Sequence, residues 1–385
     1  MSVSLSVRAG RKKLLIRNTN IFIWLTKPVM RKLLVFILII IALQRVSGQK
    51  PAISFYCELN SKEFTELFAD TSLINQLTEM KAGLKIGLPD LSPGRAEVVK
   101  RLNNYGIPLV AWLLLPEDQG YWFNAFNGDK AAKRYEEFLK WTAEYNLSWK
   151  GIGIDLEPDM NDIKLVLEHP LKLAWKVYKR LYDTRSFKKA DVTYGNLLSK
   201  MKSDGYTVES YIIPLILEDR KKDRRSFQRL AGIIDLKTET EIPMAYTSVM
   251  GSPAIIPRYH EVNMPIALGS TGGGVNIGGL EAPALSWEEL DRDILIASGL
   301  TGQIAIFSLE GSWKKGFIPK ISSMDFTRSA PDISDFKEKQ ERIDKIFRFV
   351  LFVTNWPLIL TLVIISVISA IAWGLYRLII IIIRK

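Results

Sequence analysis

Cysteine and histidine are almost absent from this chain of 385 residues, which has one cysteine, Cys57, and two histidines, His169 and His260. A single cysteine allows no intrachain disulfide. Two histidines argue against a His-rich zinc site and against a Ser-His-Asp triad. Acidic residues are missing from the first 50 positions, which carry ten Lys and Arg. Setting those ten aside leaves 42 basic against 41 acidic residues, so the net charge of +11 belongs to the N-terminal segment. The body is nearly neutral, a polyanion-binding surface is not implied, and nucleic acid is not an expected partner. The glycine-rich turn of a dinucleotide-binding sheet is also missing after the first strand.

Two apolar runs bracket the body. Residues 33–43 are eleven apolar residues behind Met30-Arg31-Lys32. That is short for a membrane span of about 20 residues, but it suits a signal-peptide core, with Val46-Ser47-Gly48 as small residues for cleavage before Gln49. Segment 1–48 is therefore expected to be a signal peptide or a retained signal anchor, with Met30 an alternative start to Met1. The second run, 349–376, holds 28 residues without a charge. It can cross a bilayer with tilt or with a kink at Pro357. A charged stalk, 329–348, precedes it, and a short basic tail, 377–385, with Arg377, Arg384 and Lys385, follows. The expectation is a cell-membrane protein, single-pass or two-pass if the signal is retained, with its body on the extracytoplasmic side.

Between residues 51 and 328, short β-rich runs alternate with longer helical patterns, the mark of a parallel α/β sheet. Eight candidate strands are readable: 52–57, 83–88, 108–115, 151–156, 207–217, 242–249, 265–270 and 303–309. Eight strands in this length predict a (β/α)8 TIM barrel followed by the C-terminal transmembrane helix; a doubly wound open sheet is the alternative.

The fourth strand carries the densest signal, "GIGIDLEPD". With a period of two, Gly151, Gly153, Asp155 and Glu157 share one face and Ile152, Ile154 and Leu156 the other. The open face is bare until it ends in two carboxylates one pleat apart, as in a tight barrel interior reaching a polar mouth. Neighbouring carboxylates with little water raise one pKa, which makes Glu157 a candidate general acid/base and Asp155 its partner. Other strand ends are acidic too: Glu58, Asp90, Glu117 with Asp118, Glu218 with Asp219, and Glu310. Each alone reads first as a surface charge or helix cap. The loop after strand 3, "EDQGYWFNAFN", offers Tyr121 and Trp122 for stacking on sugar rings and Asn124 and Asn127 for hydroxyls, and Trp112 lies within that strand. Strand 6 offers Tyr246. The turn "GSTGGG" after strand 7 permits close backbone approach to a ligand, a phosphate included.

The strand-4 motif resembles glycoside hydrolase family 18, the chitinase-like barrels, whose strand 4 ends DxxDxDxE. The resemblance implies that Glu157 is the acid, that Asp155 orients a substrate N-acetyl group, and that Tyr246, in Met244-Ala245-Tyr246-Thr247, assists the intermediate. Lys150, Gly153, Leu156 and Thr247 depart from the family pattern. Ordinary retention would instead need a nucleophilic carboxylate about 5–5.5 Å from the acid, with Glu310 and Glu218 as candidates.

The sequence thus predicts a membrane-anchored glycosidase with Glu157, Asp155, Tyr246 and Glu310 as catalytic residues. Glu58, Asp90, Trp112, Glu117, Tyr121, Trp122 and Glu218 are expected around the substrate. No cofactor or metal is expected, the partners are a carbohydrate and the lipid bilayer, and the oligomeric state is open. A non-catalytic glycan-binding barrel and a metal- or phosphate-dependent barrel enzyme are the alternatives.

Overall fold

The computed structural model describes residues 50–274 and 283–383. Residues 1–49, which include the segment expected to be a signal peptide or anchor, residues 275–282 in the loop after strand 7, and Arg384 and Lys385 lie outside the described residues. The strands are β1 (Ala52–Cys57), β2 (Gly83–Leu88), β3 (Leu109–Leu113), β4 (Gly151–Leu156), β5 (Thr207–Ile212), β6 (Thr240–Pro243), β7 (Ile266–Gly269) and β8 (Gln303–Phe307). They form one sheet in the order β6-β5-β4-β3-β2-β1-β8-β7, every adjacent pair parallel. The two outer strands meet through a single parallel bridge, Met244 to Ala267. The sheet is therefore a nearly closed barrel, the (β/α)8 arrangement that the alternation predicts.

Strand alternation divides the apolar residues into two layers. Ile53, Phe55, Cys57, Ile152, Ile154 and Leu156 join the large cluster that includes Tyr135, Phe138 and Tyr194 from the surrounding helices. Tyr56, Trp112, Tyr211, Ile242 and Ala305 form a second, smaller cluster inside the barrel. Its centre is aromatic. Tyr56 meets Tyr211 edge-on at 4.8 Å and Trp112 at 5.5 Å, and Phe307 lies 6.2 Å from Tyr56. On the N-terminal side of this layer, Lys85 of β2 pairs across the lumen with Glu209 of β5, which also accepts the Tyr211 hydroxyl at 2.7 Å. Small residues at the foot of the barrel, Gly83, Gly151 and Thr207 among them, leave a cavity of about 370 Å³. It opens at the end opposite the carboxylates of β4.

Five strands are shorter than the pattern predicts, the fifth and sixth most of all. The fifth, expected over 207–217, stops at Ile212. Pro214 lacks the N–H a ladder needs, and Ile216–Lys221 is a helix. The sixth, expected over 242–249, occupies Thr240–Pro243, and Tyr246 caps the short helix Thr247–Met250.

After the barrel come a helix at Ser334–Thr354 and another at Pro357–Ile383. The break coincides with Pro357, which has no N–H to continue the first helix but suits the opening turn of a second. The first helix is held to the barrel by the Arg258–Asp344 ion pair at 2.7 Å and a Ser226–Asn355 hydrogen bond at 3.2 Å. Within the second, Pro357–Tyr376 is long and apolar enough to cross a membrane, with mean hydropathy 2.6 and none of it buried.

Candidate active site

The bare face of β4 is not open space. A Cβ on Gly153 would fall on the Tyr211 hydroxyl, and one on Gly151 would meet Thr207 Oγ1 at 2.6 Å. Glycine lets β5 press its side chains against β4. Asp155, next on this face, is only 2% exposed. The Trp112 indole N–H lies beside its carboxyl and favours the charged form, against the effect of burial.

Burial, then the charge of Glu157, then that of Glu58 push the Asp155 carboxyl well above the usual carboxylate range. Burial raises Glu157 to about 7, against the opposing effect of its contact with Asp155. Two adjacent carboxyls, Asp155 buried and Glu157 half-buried, resist double ionisation, so the pair keeps a proton into the neutral range.

Glu58 follows β1, is 6% exposed, and stands beside the Tyr121 hydroxyl. Its charge acts on Asp155 and on Tyr246. Tyr246 stacks on Phe307 at 5.6 Å. Burial, then Asp155, Glu157 and Glu58, hold its phenol protonated. Glu310 lies in the first turn of the helix Leu309–Lys314, just past β8. The amides of Gly274 and Glu58 donate to its Oε1 at 3.2 and 3.4 Å, and the Cys57 thiol lies beside its carboxyl. Burial raises it to about 7 as well. Gly274 has φ of 86°, and a Cβ there would strike the Phe307 ring at 2.6 Å and Glu58 Oε2 at 2.9 Å. The glycine-rich turn is thus pressed onto two carboxylates, a poor seat for phosphate.

The remaining acidic strand ends are engaged elsewhere. Asp90 is partly buried, but Arg95 at 2.9 Å outweighs that burial and holds its carboxyl low. The Arg95 guanidinium also donates to the carbonyls of Gly87 and Leu59, so Asp90 completes a structural clamp. Glu117 sits in a short 3-10 turn with Lys164 at 3.5 Å. Glu218 is on the helix Ile216–Lys221, not at the end of β5, and pairs with Arg258 at 2.9 Å. Asp219 accepts from the amides of Phe227 and Gln228. Asn127 accepts from the Asn124 amide at 2.8 Å and from the Tyr194 hydroxyl at 2.9 Å, so these two asparagines fold the loop. Tyr121 and Trp122 are packed against each other at 5.1 Å, 4% and 5% exposed. Among the described residues no three His, Cys, Asp or Glu side chains are grouped to hold a metal ion.

No protein-family model and no curated protein matches the chain. Solved structures do. One is AP endonuclease, family 2, from Brucella melitensis, 11% identical, covering 67% of this chain and 92% of that one, with a TM-score of 0.34. Another is ScGas2 in complex with compound 8, also 11% identical, covering 74% of this chain and 65% of that one, with a TM-score of 0.37. The chemistry is therefore argued from the site itself. That site departs from the family-18 pattern at a decisive place, since the Tyr211 phenol occupies the space a side chain at position 153 would need.

Tyr56, Tyr211 and Phe307 form the aromatic floor of the site, and none stood out in the sequence. The signal was present: each falls on the same alternating face of its strand as Ser54, Glu209 and Ala305 respectively.

Proposed function

We propose that this chain is a membrane-anchored glycoside hydrolase whose barrel lies on the extracytoplasmic side. One observation carries the reading: Asp155 and Glu157 sit one pleat apart at the mouth end of β4, and burial holds both toward their protonated forms at neutral pH. A carboxylic acid with a pKa near 7 can protonate a leaving glycosidic oxygen and then, as carboxylate, activate water. In this reading Glu157 is that acid/base, Asp155 stabilises it, and the Tyr246 hydroxyl donates a hydrogen bond to an acceptor oxygen of the reacting sugar. Glu310 is the reserve nucleophile on the β8 side, with the Gly274 amide steadying its Oε1. The helix Pro357–Ile383 supplies the anchor.

The test is Glu157→Gln in the full chain, purified in detergent and assayed on a glycan panel with product detection. Turnover should fall by about 10²–10⁴-fold. Substrates with an activated aryl leaving group, which needs no proton, should lose less. A variant as active as wild type on an unactivated glycan would refute the acid role. A second reading, a glycan-binding barrel without turnover, is favoured by the filled space over Gly153. Binding that occurs without product and is unchanged in Glu157→Gln would establish it.

A further inference from the structure

The connection from β4 to β5 contains more than a barrel needs. The helix Thr184–Ser203 makes the usual packing against the strands, through Phe187, Tyr194 and Leu197. Before it come two further helices, Met160–Glu168 and Pro170–Arg180. Only Pro158 and Asp159 separate Glu157 from the first of them, so this excursion leaves directly from the mouth of the barrel.

The second of these helices is amphipathic in an unusual way. Leu171, Trp175 and Tyr178 repeat at the i, i+4, i+7 spacing that puts them on one stripe, and Tyr182 follows in the turn just past the helix end. Leu171 is 85% and Trp175 58% exposed. The lower end of the stripe is covered by one element, the first turn of the candidate membrane span. Tyr178 Oη bonds Thr361 Oγ1 at 2.8 Å, and Tyr182 donates to the Pro357 carbonyl at 2.8 Å. Trp356, one residue before that span, is 51% exposed. Trp175, Tyr178, Tyr182 and Trp356 thus gather where the apolar helix begins, the level at which amphipathic aromatics border a bilayer. Lys172 and Lys179 flank the stripe in solvent, placed for anionic headgroups.

We propose that the helix Pro170–Arg180 lies in the membrane interface as a second lipid contact beside the tether. It holds the barrel mouth at the bilayer surface, and the substrate is a glycan attached to the membrane. The lipid contact rests on the anchor reading above, and the substrate assignment rests on the hydrolase reading.

Cysteine labelling tests the contact in the full chain, reconstituted in phosphatidylcholine–phosphatidylglycerol liposomes. The native Cys57 is buried, so a single introduced thiol reports alone. Leu171→Cys is compared with Val262→Cys, which is 86% exposed in the segment leading into β7, at the opposite end of the barrel. A polarity-sensitive fluorophore at 171 should shift to the blue and be quenched at least about twofold more than at 262 by headgroup-level spin-labelled lipid. Equal quenching at the two positions would overturn the contact. A blue shift at 171 that depends on protein density rather than on lipid would also overturn it, pointing to a second copy.

The substrate class is tested with oligosaccharides conjugated to phosphatidylethanolamine in the same liposomes, against the same oligosaccharides free in solution. Leu171→Glu with Trp175→Glu should lower turnover of the conjugates by about tenfold or more and leave the free sugars unaffected. Wild type that hydrolyses both forms equally well would overturn the membrane-bound substrate while sparing the hydrolase reading. Wild type that hydrolyses neither would remove both, with the quenching result still deciding the lipid contact.

Discussion

At the residue scale, Gly153 and Tyr211 form a pair in which one absence makes room for one group. Gly153→Ala puts a methyl on the phenol and should destabilise by about 1–3 kcal/mol, the range for overpacking. A thermal melt of the full chain in detergent checks it, and adding Tyr211→Phe should recover part of the loss. The raised carboxyls have a second consequence. Asp155, Glu157 and Glu310 bind protons more tightly folded than unfolded, where Asp and Glu titrate near 4. The stability this confers is complete below about pH 4 and, for Glu157 and Glu310, is lost as pH rises through about 7. The melting temperature should therefore fall between pH 5 and pH 8, and Asp155→Asn or Glu310→Gln should flatten that fall. An equally steep decline in both variants would show that the dependence arises elsewhere. For the same reason Glu157-dependent turnover should decline on the alkaline side of about pH 7.

At the scale of elements, the barrel interior is layered along its axis. The foot is open, the Lys85–Glu209 pair comes next, then the aromatic floor, then the acidic mouth. Lys85 comes from β2 and Glu209 from β5, so the pair spans the lumen and fixes those strands relative to each other. Burial lowers the Lys85 ammonium, and Glu209 opposes that shift. Lys85→Met would leave Glu209 inside with only the Tyr211 hydroxyl, a loss of about 3–5 kcal/mol for a broken buried pair. Lys85→Met with Glu209→Gln should be milder than Lys85→Met alone. A double-mutant cycle by denaturant unfolding measures the coupling, and additive effects would refute the pairing. The element ends were the least legible part of the sequence. The apolar run through 217 reads as one long strand, and only Pro214 marks where the ladder stops. Glu218 was placed at a strand end for that reason and lies on a helix instead.

At the scale of the whole molecule, the mouth, the β4 excursion and the start of the apolar helix are neighbours. The helix Ser334–Thr354 packs along the barrel and delivers the chain to Tyr178 and Tyr182, and the apolar helix departs from there. If the proposed topology holds, protease added outside intact cells should digest the barrel and spare a membrane-embedded fragment containing the helix Pro357–Ile383. A barrel digested only after permeabilisation would place it on the other side. The apolar run itself was visible in the sequence, since 28 uncharged residues need no tertiary context to be recognised. The contact between that run and residues 178 and 182 was not, because nothing local connects positions about 180 apart.

The division between sequence and structure follows the range of the forces involved. Alternation along a strand is local, so the sequence alone determined eight parallel strands, the inward face of β4 and the shared side of Asp155 and Glu157. Whether an acid is free for chemistry depends on a cation or amide elsewhere in the chain. Only the tertiary structure decided that Asp90 is held by Arg95 and Glu218 by Arg258, that Glu58 belongs beside Asp155, and that Tyr211 fills the space Gly153 leaves. Closing the sheet joins residues far apart in sequence, and with water excluded there, those encounters set each group's charge.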